Sequence, residues 1–273
     1  MTDRYAVIGN PVGHSKSPMI HGTFARANGQ DLEYIAIEGS EAGFEAEVAA
    51  FRAAGGRGMN VTTPFKLRAF ALATERMERA ALAGAANALK FDGDRILADN
   101  FDGLGLVGDI ERNLGYALRG KRVLLMGAGG AARGALLPFL QQEPALLVIA
   151  NRTIEKAMDL ARHAVARGNV RGGGYAVLVD QQFDVVVNAT SASLRGELPP
   201  VPPSVFGDGC LAYELVYGRG LTPFLRLAQN AGAAKLADGV GMLVEQAAEG
   251  FAWWRGVRPD TRALIGRLTV PLV

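Results

Sequence analysis

The chain has 273 residues, 49% of them hydrophobic and 21% charged, which suits a globular protein of one large domain or two medium ones, two being the expectation. A net charge of +2, with no run of Lys and Arg interleaved with aromatics, argues against a nucleic-acid surface and leaves small molecules as the expected partners. Cys210 is the only cysteine, so an intrachain disulfide is excluded; no apolar stretch has the length of a membrane span, and a cytoplasmic protein is expected.

Arg4 to Ile8 reads as a strand, ended by the turn residues Gly9-Asn10-Pro11-Val12-Gly13. Ser17 and Pro18 read as the N-cap and first position of a helix running to about Asn28. Leu32 to Ile37 predicts a second strand and Ala42 to Ala54 a helix with Phe44, Val48 and Phe51 on one face. Gly58 to Thr62 predicts a third strand, after which Pro64 starts a helix carrying Phe65 and Lys66. Glu75 to Leu82 reads as helix closed by Gly84, and Asn87 to Phe91 with Arg95 to Ala98 as two strands around a tight turn. The polar loop from Asp99 to Gly103, preceding a helix from about Leu104 to Leu114, is the expected domain boundary.

Val123 to Met126 is an apolar run followed by Gly127-Ala128-Gly129-Gly130-Ala131-Ala132, and Ala131 to Leu140 has a helical pattern. This matches a G-x-G-x-x-G/A fingerprint, in which glycines let a ligand approach the backbone and the helix N-terminus receives a pyrophosphate. Further strands are predicted at Ala145 to Ala150, Tyr175 to Val179, Asp184 to Asn188 and Leu211 to Val216, with helices at Ile154 to Arg167, Thr222 to Ala231 and Met242 to Trp254. Strands separated by helices indicate a parallel, doubly wound sheet.

An acidic residue about 20 positions after the first glycine would hold the ribose hydroxyls of NAD. Asn151-Arg152-Thr153 stands there instead, with Lys156 one turn on, and a guanidinium in that place pairs with the 2′-phosphate of NADP. Lys66 and Asp102 are the sharpest candidates for proton transfer, although each read singly is more often a solvated charge. Ser15, Ser17, Asn60, Thr62 and Asn87 suit a polyhydroxylated ligand, capping and turn duty being their commoner use. His14, His21 and His163 lack the neighbours of a metal site, and none is assigned to one.

Taken together, Ser15-Lys16-Ser17-Pro18-Met19-Ile20-His21, Asn60-Val61-Thr62-Thr63-Pro64-Phe65-Lys66, the glycine run, Asn151-Arg152-Thr153, Asn188-Ala189-Thr190-Ser191 and Asp238 to Gln246 resemble motifs of the shikimate dehydrogenase family. The resemblance spans nearly the whole chain. It implies an α/β protein of two α/β domains with a cleft between them: a substrate domain, 1–102 joined by helices 239–273, and a Rossmann-type NADP domain, 103–238. It further implies that Lys66 and Asp102 are the catalytic pair, that Ser15, Ser17, Thr62, Asn87, Tyr217 and Gln246 bind a shikimate-like cyclic hydroxy acid, and that Thr190 helps hold the cofactor. The chain would be a monomer or a homodimer.

Two positions depart from the family's pattern. Its DNTDG is Asp99-Asn100-Phe101-Asp102-Gly103 here, and its GAxNT is Gly84-Ala85-Ala86-Asn87-Ala88, so two threonine hydroxyls are absent. Losing a hydroxyl that bonds substrate shifts discrimination strongly, and Phe101 and Ala88 are therefore expected to weaken or alter substrate preference. The expected activity is reversible reduction of 3-dehydroshikimate to shikimate. Oxidation of quinate, aminoshikimate or another cyclic hydroxy acid is the first alternative, and an NADP-binding sensor without turnover the second.

Overall fold

The computed structural model describes residues 2–273. Its first part runs β1 (Asp3–Gly9), α1 (Ser17–Ala27), β2 (Leu32–Glu38), α2 (Phe44–Ala53), β3 (Gly56–Val61), α3 (Lys66–Leu72), β4 (Glu75–Arg76), α4 (Glu78–Ala83), β5 (Ala88–Asp92) and β6 (Arg95–Asp99). These strands form one sheet in the order β2-β1-β3-β5-β6-β4. β1 pairs in parallel with β2 and β3, while β5 runs antiparallel to both β3 and β6. Ile8, Phe44, Val48, Phe51, Met59, Phe65 and Leu89 belong to one core cluster of this part.

The second part begins with α5 (Asp102–Gly108), which ends in a π-helical turn at Asp109–Asn113. Then come β7 (Arg122–Met126), α6 (Gly130–Gln141), β8 (Leu146–Ala150), α7 (Ile154–Ala164), β9 (Val170–Gly173), β10 (Phe183–Asn188), β11 (Phe206–Glu214), α8 (Pro223–Asn230) and β12 (Lys235–Ala237). All six strands are parallel, in the order β12-β11-β10-β7-β8-β9. The order reverses between β7 and β10, and ligands of such sheets bind at the strand ends there. Two separate cores flank this sheet, which explains why β8 is buried at every position and reads as an unbroken apolar run.

The chain closes with α9 (Val240–Arg255) and α10 (Arg262–Leu268). Val244, Ala247, Ala248 and Phe251 of α9, with Leu264 of α10, share a core with Ile20, Phe24 and Ala25 of α1. The C-terminal helices thus return to the first sheet.

Three local expectations are corrected. Glu75 and Arg76 are strand rather than helix, because Thr74 N–H donates to the Ile96 carbonyl (2.9 Å) and Met77 N–H to that of Ala98 (2.9 Å), drawing the segment onto β6. Tyr175–Leu178 is a 3₁₀ turn, and the strand lies upstream at β9. There a Cβ on Gly172 would stand 2.1 Å from the Ala157 carbonyl oxygen, so close packing against α7 requires a residue of poor strand propensity. Ser17 is already inside α1, and its N–H is met by the Ser15 hydroxyl at 3.2 Å.

Candidate active site

Lys66 and Asp102 are 36 positions apart in sequence, and two local structures bring them together. Lys66 opens α3 directly after Phe65, whose buried ring stacks on Phe44 with centroids 4.8 Å apart. The Lys66 carbonyl accepts the Ala86 N–H at 2.9 Å, which ties α3 to the start of β5. Asp102 opens α5, its N–H donating to Asn100 Oδ1 at 3.1 Å. The fully buried Asn100 in turn donates from Nδ2 to the Ala85 carbonyl at 3.1 Å.

The result is a short ion pair, Lys66 Nζ to Asp102 Oδ2 at 2.6 Å, with the lysine side chain 24% and the aspartate 10% exposed. Asp102 Oδ1 accepts from Asn87 Nδ2 at 2.7 Å, and Asn87 Oδ1 accepts the Phe101 N–H at 2.9 Å. Asn87 therefore has its amide orientation set by one backbone donor and presents its NH₂ to the carboxylate and, at 3.4 Å, to Gln246 Oε1.

This pair stands in the wall of a cavity of about 410 Å³. Ser15, Ser17, Asn60, Thr62, Asn87, Tyr217 and Gln246 line it too, so every residue expected to hold substrate faces one space. Burial pushes the Tyr217 phenol up, keeping its hydroxyl protonated as a donor. Behind the wall, Tyr34 OH donates to Asn60 Oδ1 (2.6 Å), and Asn60 Nδ2 donates to the Asn87 carbonyl (3.2 Å). His21 stacks on Tyr34 at 4.3 Å with neither ring nitrogen hydrogen-bonded, and burial lowers its pKa to about 3.

A second cavity, of about 840 Å³, lies over the C-terminal ends of β7, β8 and β10. Gly127, Ala128, Gly129, Gly130 and Ala131 form its floor, flanked by Asn151 and Arg152 on one side and Thr190 on the other. Gly127 has φ +109°, and a Cβ there would lie 2.9 Å from the Ala189 carbonyl oxygen. Gly129 and Gly130 face open space, and α6 starts without a side-chain cap. A pyrophosphate fits such a cradle of bare backbone at a helix N-terminus. Thr153 and Lys156 are exposed and outside the lining; Thr153 occupies the N-cap of α7, where its carbonyl accepts from Asn151 Nδ2 at 2.9 Å.

His14, Thr63, Leu194, Leu215 and Tyr217 line both cavities, which therefore open into one another. Sequence reading missed His14 and Leu194 at this seam, and Tyr175 and Arg195 farther along the larger cavity. All four sit outside the regular helices and strands, and the one signal was that His14 adjoins Ser15.

Phe101 and Ala88 line neither cavity. Phe101 is 3% exposed, its ring edge-on to Trp253 with centroids 5.5 Å apart and beneath the Arg79 guanidinium. Ala88 is fully buried in β5, paired with Asn60 and Asp99. Neither side chain faces the cavity that holds the Lys66–Asp102 pair, so the expectation that these two positions alter substrate preference finds no support in the geometry.

Comparison with known proteins agrees with this geometry. The shikimate dehydrogenase substrate binding domain family matches residues 7–89, the shikimate / quinate 5-dehydrogenase family 110–195, and the shikimate 5′-dehydrogenase C-terminal domain family 239–268. The shikimate dehydrogenase (NADP(+)) of Nitrosospira multiformis is 60% identical over 268 residues, covering 98% of each chain. The crystal structure of the Ael1 enzyme from Pseudomonas putida is 65% identical over 100% of both chains, with a TM-score of 0.96. The shikimate 5-dehydrogenase of Thermus thermophilus, solved with NADP(H) and shikimate, is 28% identical over 97% of this chain and 98% of that one, with a TM-score of 0.86.

Proposed function

Because the chain belongs to the shikimate dehydrogenase family, we propose that it catalyses the reversible, NADP-dependent reduction of 3-dehydroshikimate to shikimate. The observation that carries this reading is the Lys66–Asp102 ion pair, set in a polar cavity that opens into a glycine-floored cleft. The working division is a substrate unit, 1–102 with 239–273, and a cofactor unit, 103–238. Among the described residues no helix is long and apolar enough to cross a membrane.

NADPH bound over Gly127–Ala131 would supply the hydride. Lys66 then gives its ammonium proton to the substrate's carbonyl oxygen as that carbon is reduced, and takes a proton from the alcohol in the reverse direction. Asp102 holds Nζ in place through Oδ2, while Asn87 keeps the carboxylate from rotating. Ser15 and Ser17, at the start of α1, suit the ring's carboxylate; Thr62, Asn87, Tyr217 and Gln246 suit its hydroxyls. Arg152 replaces the acid that NAD would need, which favours NADP.

The test is a panel of shikimate, quinate and aminoshikimate with NADP and NAD, followed at 340 nm. Highest kcat/KM for shikimate with NADP is expected, and Lys66→Ala should lower kcat by about 10²-fold or more with little change in cofactor affinity. No reduction of NADP by shikimate, or an unchanged kcat in Lys66→Ala, would overturn the assignment.

A further inference from the structure

We propose that Arg195 is a second guanidinium for the cofactor's 2′-phosphate, opposing Arg152 across the cleft and held ready by Glu197. This rests on the NADP reading and goes beyond it by naming a residue on the other wall. Arg152 follows β8 and Arg195 lies in the 3₁₀ turn Ala192–Arg195 after β10; these strands flank β7 on opposite sides. Both arginines line the same cavity, so a ligand above the glycine loop lies between them.

Arg195 is placed by three bonds. Nη1 donates to Ser191 Oγ at 3.0 Å, and Nε and Nη2 donate to the two oxygens of Glu197 at 2.9 and 2.7 Å. The bidentate fork is the geometry a phosphate would also accept, with Glu197 occupying its place. Both side chains of that pair are more than half exposed, and exposed pairs are weak, so a phosphate dianion can displace the carboxylate. Arg195 holds the Glu197 carboxyl below its ordinary range, and Arg152 adds a smaller pull, consistent with an acid within the field of both guanidinium groups. Arg152, Arg195 and Arg219 face the cavity against that one acid, so displacing it leaves an excess of positive charge for the ligand.

Calorimetric titration of the whole protein with 2′,5′-ADP and with 5′-AMP isolates the phosphate. The wild type should bind 2′,5′-ADP at least about tenfold more tightly than 5′-AMP, from charge-assisted hydrogen bonds to the extra group. Arg195→Ala should weaken 2′,5′-ADP about tenfold and leave 5′-AMP within about twofold; Arg195→Lys, with charge but no fork, should recover only part. Glu197→Gln should tighten 2′,5′-ADP about threefold by removing the competing anion. If the wild type discriminates and Arg195→Ala discriminates equally, or loses both ligands alike, the role of Arg195 is refuted while the NADP reading stands. A wild type that does not prefer 2′,5′-ADP overturns both.

Discussion

Asp102→Asn changes one atom at the centre of the site, and the surrounding hydrogen bonds dictate which interaction is lost. The carboxylate accepts from two donors, Lys66 Nζ on Oδ2 and Asn87 Nδ2 on Oδ1. An amide offers one acceptor and one donor, so one partner must face an NH₂. Asn87 cannot turn over, because its own Oδ1 accepts the Phe101 N–H. Lys66 cannot accept either, but its long, partly exposed side chain can withdraw where Asn87 cannot, so the new amide gives its oxygen to Asn87 and turns its NH₂ toward the lysine. Lys66 loses a charge-assisted bond worth about 1.5–3 kcal/mol and meets a donor in its place. That is about 10- to 100-fold in rate, and loss of an oriented proton donor adds more, so kcat should fall about 10²- to 10³-fold. Steady-state shikimate oxidation gives kcat, and NADPH fluorescence titration gives the cofactor Kd, which should stay within about twofold since Asp102 does not line the cofactor cavity. A kcat within about threefold of wild type, with cofactor binding unchanged, would refute the reasoning.

Other consequences are separately measurable. Phe101→Thr restores the family's residue but empties space beside Trp253; it should cost about 3 kcal/mol by urea denaturation and leave kcat/KM for shikimate within about twofold, whereas a large gain would put the ring back in the substrate site. His21 stays neutral in the folded protein down to about pH 3, while in the unfolded chain it takes up a proton below about 6.5. Stability therefore falls with pH across that window, by about 2 kcal/mol between about pH 6.5 and 5, and His21→Gln should flatten this slope; parallel slopes would count against it. Gly103→Ala puts a Cβ 2.3 Å from the Gly134 carbonyl oxygen and 2.7 Å from Pro138 Cγ, an overpacking worth about 1–3 kcal/mol next to Asp102. Both Tm and kcat should drop, and no change in either would show that α5 can shift freely.

Much of this architecture was legible because its signals are local. An unbroken apolar strand followed by Gly127-Ala128-Gly129-Gly130 needs no distant partner to be read, and neither does the absence of an acid at Asn151-Arg152. The candidate site was legible residue by residue but not as an assembly. Lys66 meets Asp102 only because Ala86, Asn87 and Asn100 pin two helix starts to one another, and no periodicity encodes those bonds. β9 was hidden by Gly172, which serves its neighbour helix rather than its own strand. The surroundings of Phe101 are equally hidden from local reading, because its ring packs on Trp253, from the far end of the chain.

The packing of Asn100 and α5 on α6 bears on how freely segments of this chain could be exchanged with a relative's. Gly103 approaches the Gly134 carbonyl, and a Cβ on Gly134 would lie 2.8 Å from Asn100 Oδ1, the group that also receives the Asp102 N–H. The helix that begins at the glycine loop is thus seated against the residue that aims the Asp102 carboxylate. A chimera that grafts a relative's residues 103–238 onto the remainder of this chain would have to bring both of these glycines with it to meet Asn100. Without them, each part could fold well and the hybrid would still misplace the Asp102 carboxylate.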